Sequence, residues 1–282
     1  MRRNMKGEIM GKVISICNQK GGVGKTTTTI ALAAALKMKG YKVLAIDCDD
    51  GNASLTKNLG FEPDEIGSTL TDLMMFQYLE RDVVPEINKS ILHSEEGFDV
   101  IASDSKLAGM TNMLSAAPME TKNVVLKKIL KNIKDDYDYV IIDTAPTLNV
   151  LIINALAAAD EVVIVTQSQA AAEAAVGELI QTIISTKQHI NPAIRIKGLL
   201  INMLDTRTRY EKDKSEYIND TYSELGMRVF ESKIPRAVAA AKCVDAHKSI
   251  LTYDIKSPAS QAYIQFAEEM LAKKSVSQNE TN

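Results

Sequence analysis

Six short runs of the chain are apolar at nearly every position. They are KVISICN (12–18), YKVLAID (41–47), FDVIAS (98–103), DYVIID (138–143), EVVIVT (161–166) and IRIKGLLIN (194–202). Val and Ile dominate them, as suits a pleated surface. A strand with one wet face alternates apolar and polar residues, whereas these runs do not, so they predict strands covered on both faces. Between them lie stretches of helical period at 25–39 (ended by Gly40), 67–80, 119–133, 148–158, 170–188 and 208–225, with a last one at 258–273. Strands joined by helical crossovers predict an α/β fold: a doubly wound, mostly parallel sheet of about seven to eight strands with helices on both faces. Residues 12–273 contain no linker, internal repeat or low-complexity tract, so they are expected to form a single domain. Segments 1–11 and 274–282 (KSVSQNETN, with Lys274 first) are expected to be flexible ends.

Composition narrows the class without changing it. A chain of 282 residues can bury a sizeable core. Aromatic residues make up 5% and Trp is absent, which argues against an aromatic-lined binding sheet. The formal net charge of −3 does not mark a basic nucleic-acid-binding domain. It leaves room for a local basic patch, especially one assembled across a dimer. Cys17, Cys48 and Cys243 are odd in number and widely spaced, giving neither a disulfide framework nor a metal pair, so a reducing cytoplasm is expected. The start, MRRNMKGEIMGK, is basic but has no apolar core of the signal-peptide kind. No run approaches the roughly eighteen apolar residues of a membrane span.

The chemistry begins at CNQKGGVGKTTTTI (17–30). A strand runs into glycines and a helix starts at Lys25-Thr26, the context in which backbone N–H groups and the helix dipole converge on an anion. Gly21, Gly22 and Gly24 permit close backbone approach. Lys25 is placed to reach the β- and γ-phosphates of a nucleotide and Thr26 to offer its hydroxyl to Mg²⁺, while Val23 and Thr27 complete the lining. The usual pattern asks for a glycine at position 19, where this chain has Gln19, and a second lysine, Lys20, precedes the glycine pair. Two further strands end in carboxylates at the edge where open α/β sheets bind ligands: VLAIDCDDGNAS, with Asp47, Asp49 and Asp50, and YDYVIIDTAPT, with Asp143. Asp143 follows four apolar residues and is placed to hold Mg²⁺ through water.

KGGVGKTT resembles the deviant Walker A loop of the ParA/MinD superfamily of P-loop NTPases. The resemblance implies that Lys20 crosses an ATP-sandwiched dimer interface to touch the partner subunit's nucleotide. It also implies that Asp49 orients the attacking water, that Asp47 lies near the metal, and that ATP and Mg²⁺ are the cofactors. DTAPT (143–147) resembles the family's switch region. Asp50-Gly51 stands where the family has Pro-Gln, which puts the shape of that loop and the rate of hydrolysis in question.

The second half, GLLINMLDTRT (198–208) and VFESKIPRAVAAAKCVDAHKSILTYDIKSPASQAYIQFAEEML (229–271), resembles ParA/Soj-type partition ATPases, and the likeness covers roughly residues 12–272. It implies a homodimer formed with ATP, non-specific binding of double-stranded DNA, a ParB-like centromere-binding partner that stimulates hydrolysis, and a cytoplasmic, nucleoid-associated protein. Asn202, Pro235 and Arg236 fall where the family encloses the adenine. Arg207, within the cluster Arg207, Arg209, Lys212 and Lys214, matches the family's DNA-contact arginine. Ala239 stands at the second such arginine, so that either Lys242 and Lys248 substitute for it or the DNA surface has moved. The plain alternative for the cluster is a solvated helix face with i,i+4 pairs to Glu211 and Glu216. A MinD-like, membrane-associated positioning ATPase is the nearest rival. It needs a basic amphipathic C-terminal helix, whereas the helix 258–273, ending EEMLAKK, carries Glu268-Glu269 on its polar side and directs Ala262, Ile264, Phe266, Met270 and Leu271 at the domain. A synthetase or amidotransferase needs an inserted substrate segment, for which the sequence offers no source.

Overall fold

The computed structural model describes residues 11–169, 172–237 and 239–272; the expected flexible ends, apart from Gly11, lie outside the described residues. Seven strands form one sheet: β1 (Lys12–Cys17), β2 (Val43–Cys48), β3 (Ile91–His93), β4 (Asp99–Ile101), β5 (Tyr139–Thr144), β6 (Glu161–Thr166) and β7 (Arg195–Ile201). Their order is β3-β4-β2-β5-β1-β6-β7, and every pairing is parallel except β3 with β4. The sheet is therefore of the predicted doubly wound kind.

The unbroken apolar runs have the reason the pattern implied. Along β5, Val140 and Ile142 join one core cluster while Ile141 joins the other. Along β6, Val162 and Ile164 part from Val163 and Val165 in the same way. Period two sends alternate residues to opposite faces, and both faces are covered. Helices Leu70–Tyr78, Leu107–Ser115, Val125–Leu130 and Val150–Ala158 pack on the first face. On the second lie Lys25–Met38 and Pro258–Leu271. The helix Lys25–Met38 buries ten of its residues, among them Ala31, Ala33, Ala34 and Ala35. Small side chains let it lie close to the sheet beneath the C-terminal helix, where Phe266 meets Phe230 edge-on at 4.9 Å.

Two local differences from the sequence expectation have physical causes. The three-residue β3 is too short for a periodic signal; it pairs with β4 through a hairpin that turns at Gly97, φ 80°. The helix expected over 119–133 is broken into Met119–Lys122 and Val125–Leu130. Buried Asn154 bridges the break, accepting from Leu126 N at 3.2 Å and donating to the Lys122 carbonyl at 2.6 Å. The backbone groups released there are thus paired.

Candidate nucleotide site and the loops around it

The P-loop follows from the end of β1. Asn18, fully buried, donates to Val165 O of β6 at 2.6 Å and accepts from Lys20 N at 2.8 Å, fixing the first turn. Gly24 has φ 90°, a conformation that L side chains rarely adopt. A Cβ there would lie 2.2 Å from Asn202 Nδ2, which instead donates to Val23 O at 2.9 Å. Asn202, at the end of β7, therefore braces the loop itself. Beside it, Pro235 bridges to Leu204 and Arg236 N donates to Leu204 O at 3.0 Å, with the Arg236 side chain exposed.

Strand register brings the carboxylates together. Asp47 and Asp143 are paired neighbours on β2 and β5. Asp143 accepts from Thr26 Oγ1 at 2.6 Å and from Thr29 Oγ1 at 3.2 Å. Burial, reinforced by Asp47, pushes its pKa up to about 7. Burial likewise lowers the Lys25 ammonium from its ordinary value, while Asp143 opposes that shift. A hydroxyl and a carboxylate in contact, in a pocket with surplus buried negative charge, are a hard oxygen pair suited to Mg²⁺. Among the described residues no group of three or more His, Cys, Asp or Glu side chains forms a cage.

Asp47 is committed to its own loop: one oxygen accepts from Thr56 N and Oγ1 at 2.8 and 2.7 Å, the other from Asp49 N at 3.2 Å. Burial raises its pKa to about 6. Asp49 accepts from Gly51 N, Asn52 N and Ser54 Oγ at 3.0, 3.3 and 2.8 Å. Asp50, at one of the two departures from the family motif, accepts from Asn149 Nδ2 at 2.9 Å. Asn149 also caps the helix Val150–Ala158. The loop after β2 is thereby tied to the turn after β5.

The two lysines of the P-loop have separate surroundings. Lys25 is buried and donates to Lys20 O at 3.2 Å. Lys20 is half-buried and donates from Nζ to Gln169 Oε1 at 2.7 Å. Gln19, in the amide orientation that pairs both its atoms, donates to Glu178 at 2.7 Å. Gln167 and Gln169 escaped the sequence reading. The available signal was the polar run TQSQ (166–169) at the end of a strand adjacent to β1.

The basic cluster is more neutral than the sequence suggested. Arg207 is held by Asp205 through Nε at 2.8 Å and Nη2 at 2.6 Å. Arg209 faces Asp213 at 3.7 Å and Lys214 pairs with Glu173. Of the i,i+4 pairs in the alternative reading, that to Glu211 gives way, because Glu211 turns inward to accept from Ser168 Oγ and Asp205 N at 3.1 and 2.7 Å. Helix Arg209–Glu224 carries Arg209, Lys212 and Lys214 against five carboxylates. Lys242, on the helix Ala239–Asp245, is exposed.

A parallel sheet with a glycine loop, a buried lysine and a Thr–Asp pair at its carboxyl edge defines a P-loop nucleotide-binding protein. A family model described as an AAA domain matches residues 11–196. The chain is 36% identical over 264 residues to the sporulation initiation inhibitor protein Soj of Bacillus subtilis (strain 168), covering 93% of this chain and 99% of that protein. It is 34% identical over 265 residues to the chromosome partitioning protein ParA of Caulobacter vibrioides (strain NA1000 / CB15N), covering 93% and 94%. Among solved structures, cobyrinic acid a,c-diamide synthase from Mycobacterium smegmatis with bound ADP and magnesium is similar at TM-score 0.76 and 31% identity, over 91% of this chain and 92% of that one. The chain belongs to the ParA/Soj family of chromosome-partitioning ATPases.

Proposed function

We propose that this ParA-like ATPase closes into a homodimer around two ATP·Mg²⁺, binds double-stranded DNA without sequence preference as that dimer, and lets go after hydrolysis. Residues 12–273 act as one ATPase domain in this reading. The observation that carries it is the pair of lysines on one loop: Lys25 is buried against its own cradle, whereas Lys20 lies outside it on a neutral partner. One cation serves the subunit's own nucleotide and the other is available to a second subunit.

The residues divide the work accordingly. Backbone N–H groups of residues 21–27 cradle the phosphates, with Gly21, Gly22 and Gly24 allowing the approach. Thr26 and Asp143 hold Mg²⁺, with Asp47 behind them shaping the loop that carries Asp49. Held by Thr26 and Asp143, Mg²⁺ would supply positive charge to offset that which spreads over a transferring phosphoryl group. Asp49 has about four acceptor sites as a carboxylate and three are filled by its own loop, leaving one to orient a water. Lys20 adds positive charge at the partner's phosphates, the kind of fixed electrostatic stabilisation on which phosphoryl transfer depends. Asn202, Pro235 and Arg236 flank the base. Arg207, Arg209 and Lys242 meet DNA phosphates, and a ParB-like partner stimulates hydrolysis through a short basic N-terminal segment. The protein then works in the cytoplasm on the nucleoid.

The membrane-associated reading is opposed by the C-terminal helix, whose Phe266 and Ala267 are fully buried and so unavailable to a lipid surface. No helix among the described residues is long and apolar enough to cross a membrane. DNA binding measured with ATP, ADP and no nucleotide across a salt series tests the proposal, with liposomes as a parallel arm. Binding with ATP alone, weakening linearly with log salt, is expected. DNA binding indifferent to nucleotide would unseat it, as would ATP-dependent sedimentation with liposomes.

A further inference from the structure

The residues that follow β6 make three consecutive side-chain contacts. Gln167 donates to Gly22 O of the P-loop at 3.1 Å, Ser168 donates to Glu211 at 3.1 Å, and Gln169 accepts from Lys20 at 2.7 Å. Past the end of β6 the chain bends at 168–169, and there Gln167 and Gln169 reach the P-loop while Ser168 reaches the 205–211 segment. Gln169 thus follows two residues whose side chains are tied down, and its amide oxygen accepts from Lys20. The Lys20 backbone is fixed as well, by Asn18 Oδ1.

The chemistry of this contact is unusual for a lysine at a charged site. An ammonium has three donors and is best held by a carboxylate. The Glu178 carboxylate accepts from the neighbouring Gln19 instead. Lys20 receives a neutral acceptor, and no salt bridge involves it among the described residues. A neutral acceptor holds the side chain in one place yet gives it up at far lower cost than an ion pair.

We propose that Gln169 is a positioning residue that holds Lys20 inside its own subunit until a partner's nucleotide draws it away. The inference rests on the reading of Lys20 as the lysine that reaches across the dimer. Each dimer opens two such contacts, so their effect on the dimerisation constant enters squared. A contact changing the equilibrium roughly threefold per subunit changes dimerisation roughly tenfold.

Light scattering of the full chain over a concentration series, with Mg²⁺ and a slowly hydrolysed ATP analogue, tests it on two variants. Gln169→Leu removes the acceptor and is expected to strengthen nucleotide-dependent dimerisation about tenfold. Gln169→Glu replaces the amide by a charged partner and is expected to weaken it by at least as much. Monomer affinity for ADP stays at the wild-type value in both. A merely structural role would move both variants in one direction, and either that result or wild-type dimerisation in both overturns the inference. Lys20→Ala separates the two levels. If Lys20→Ala dimerises like wild type, the reading of Lys20 itself fails. If it does not dimerise while both Gln169 variants behave as wild type, only the role of Gln169 fails.

Discussion

At Gly24 two requirements meet on one Cα: a left-handed backbone and an empty volume that the Asn202 amide fills. Gly24→Ala therefore sets a Cβ against Asn202 and strains φ, and a strained non-glycine residue costs on the order of 1–3 kcal/mol. Expected are a loss of unfolding free energy of about that size in a urea melt and loss of nucleotide binding, read with a fluorescent ATP analogue; wild-type affinity would show that the brace is dispensable. The lining from Lys20 to Thr27 was legible because the chemistry needs particular residue types at fixed spacing. The role of Asn202 was legible only as a position. Its donation to Val23 comes from a strand far away in sequence, and no local pattern carries it. Gln169 showed only as part of the polar run after β6, since a neutral amide after a strand has no spacing signature.

At the scale of elements, the C-terminal helix Pro258–Leu271 is built inward. Ser257 caps it by accepting from Ser260 N, and Tyr263, Phe266, Ala267 and Met270 are buried. Its neighbour is the helix that grows out of the P-loop, joined by Thr28 Oγ1 and Tyr263 OH at 3.3 Å. Phe266→Ala is expected to cost about 3–5 kcal/mol, as for other buried phenylalanines. A denaturant melt with an unchanged midpoint would contradict the packing. Elements with long or continuous patterns were readable beforehand, including β1, β2, β5 and β6. Those set by tertiary partners were not: β3 exists because β4 accepts it, and the break at 123–124 exists because Asn154 reaches it.

The whole molecule places three cysteines in its interior. Cys17, Cys48 and Cys243 are free and buried. Burial pushes the Cys17 thiol up to about 11 and raises the other two. Since the thiolate is the reactive form, Ellman's reagent at pH 8 is expected to label the native protein only as it unfolds. All three thiols then react in denaturant, and prompt labelling of the native chain would refute the placement. At this scale the sequence foretold layers and sheet edge well, because burial on both faces dictates composition along whole strands. It did not foretell how loops from different strands hold each other. Asp50 and Asn149 lie on separate strands' loops, yet they share a hydrogen bond that a proline at position 50 would lack. Their fates are therefore joined in descent: among relatives, a carboxylate at position 50 is expected to travel with an amide donor at position 149, and each to disappear with the other.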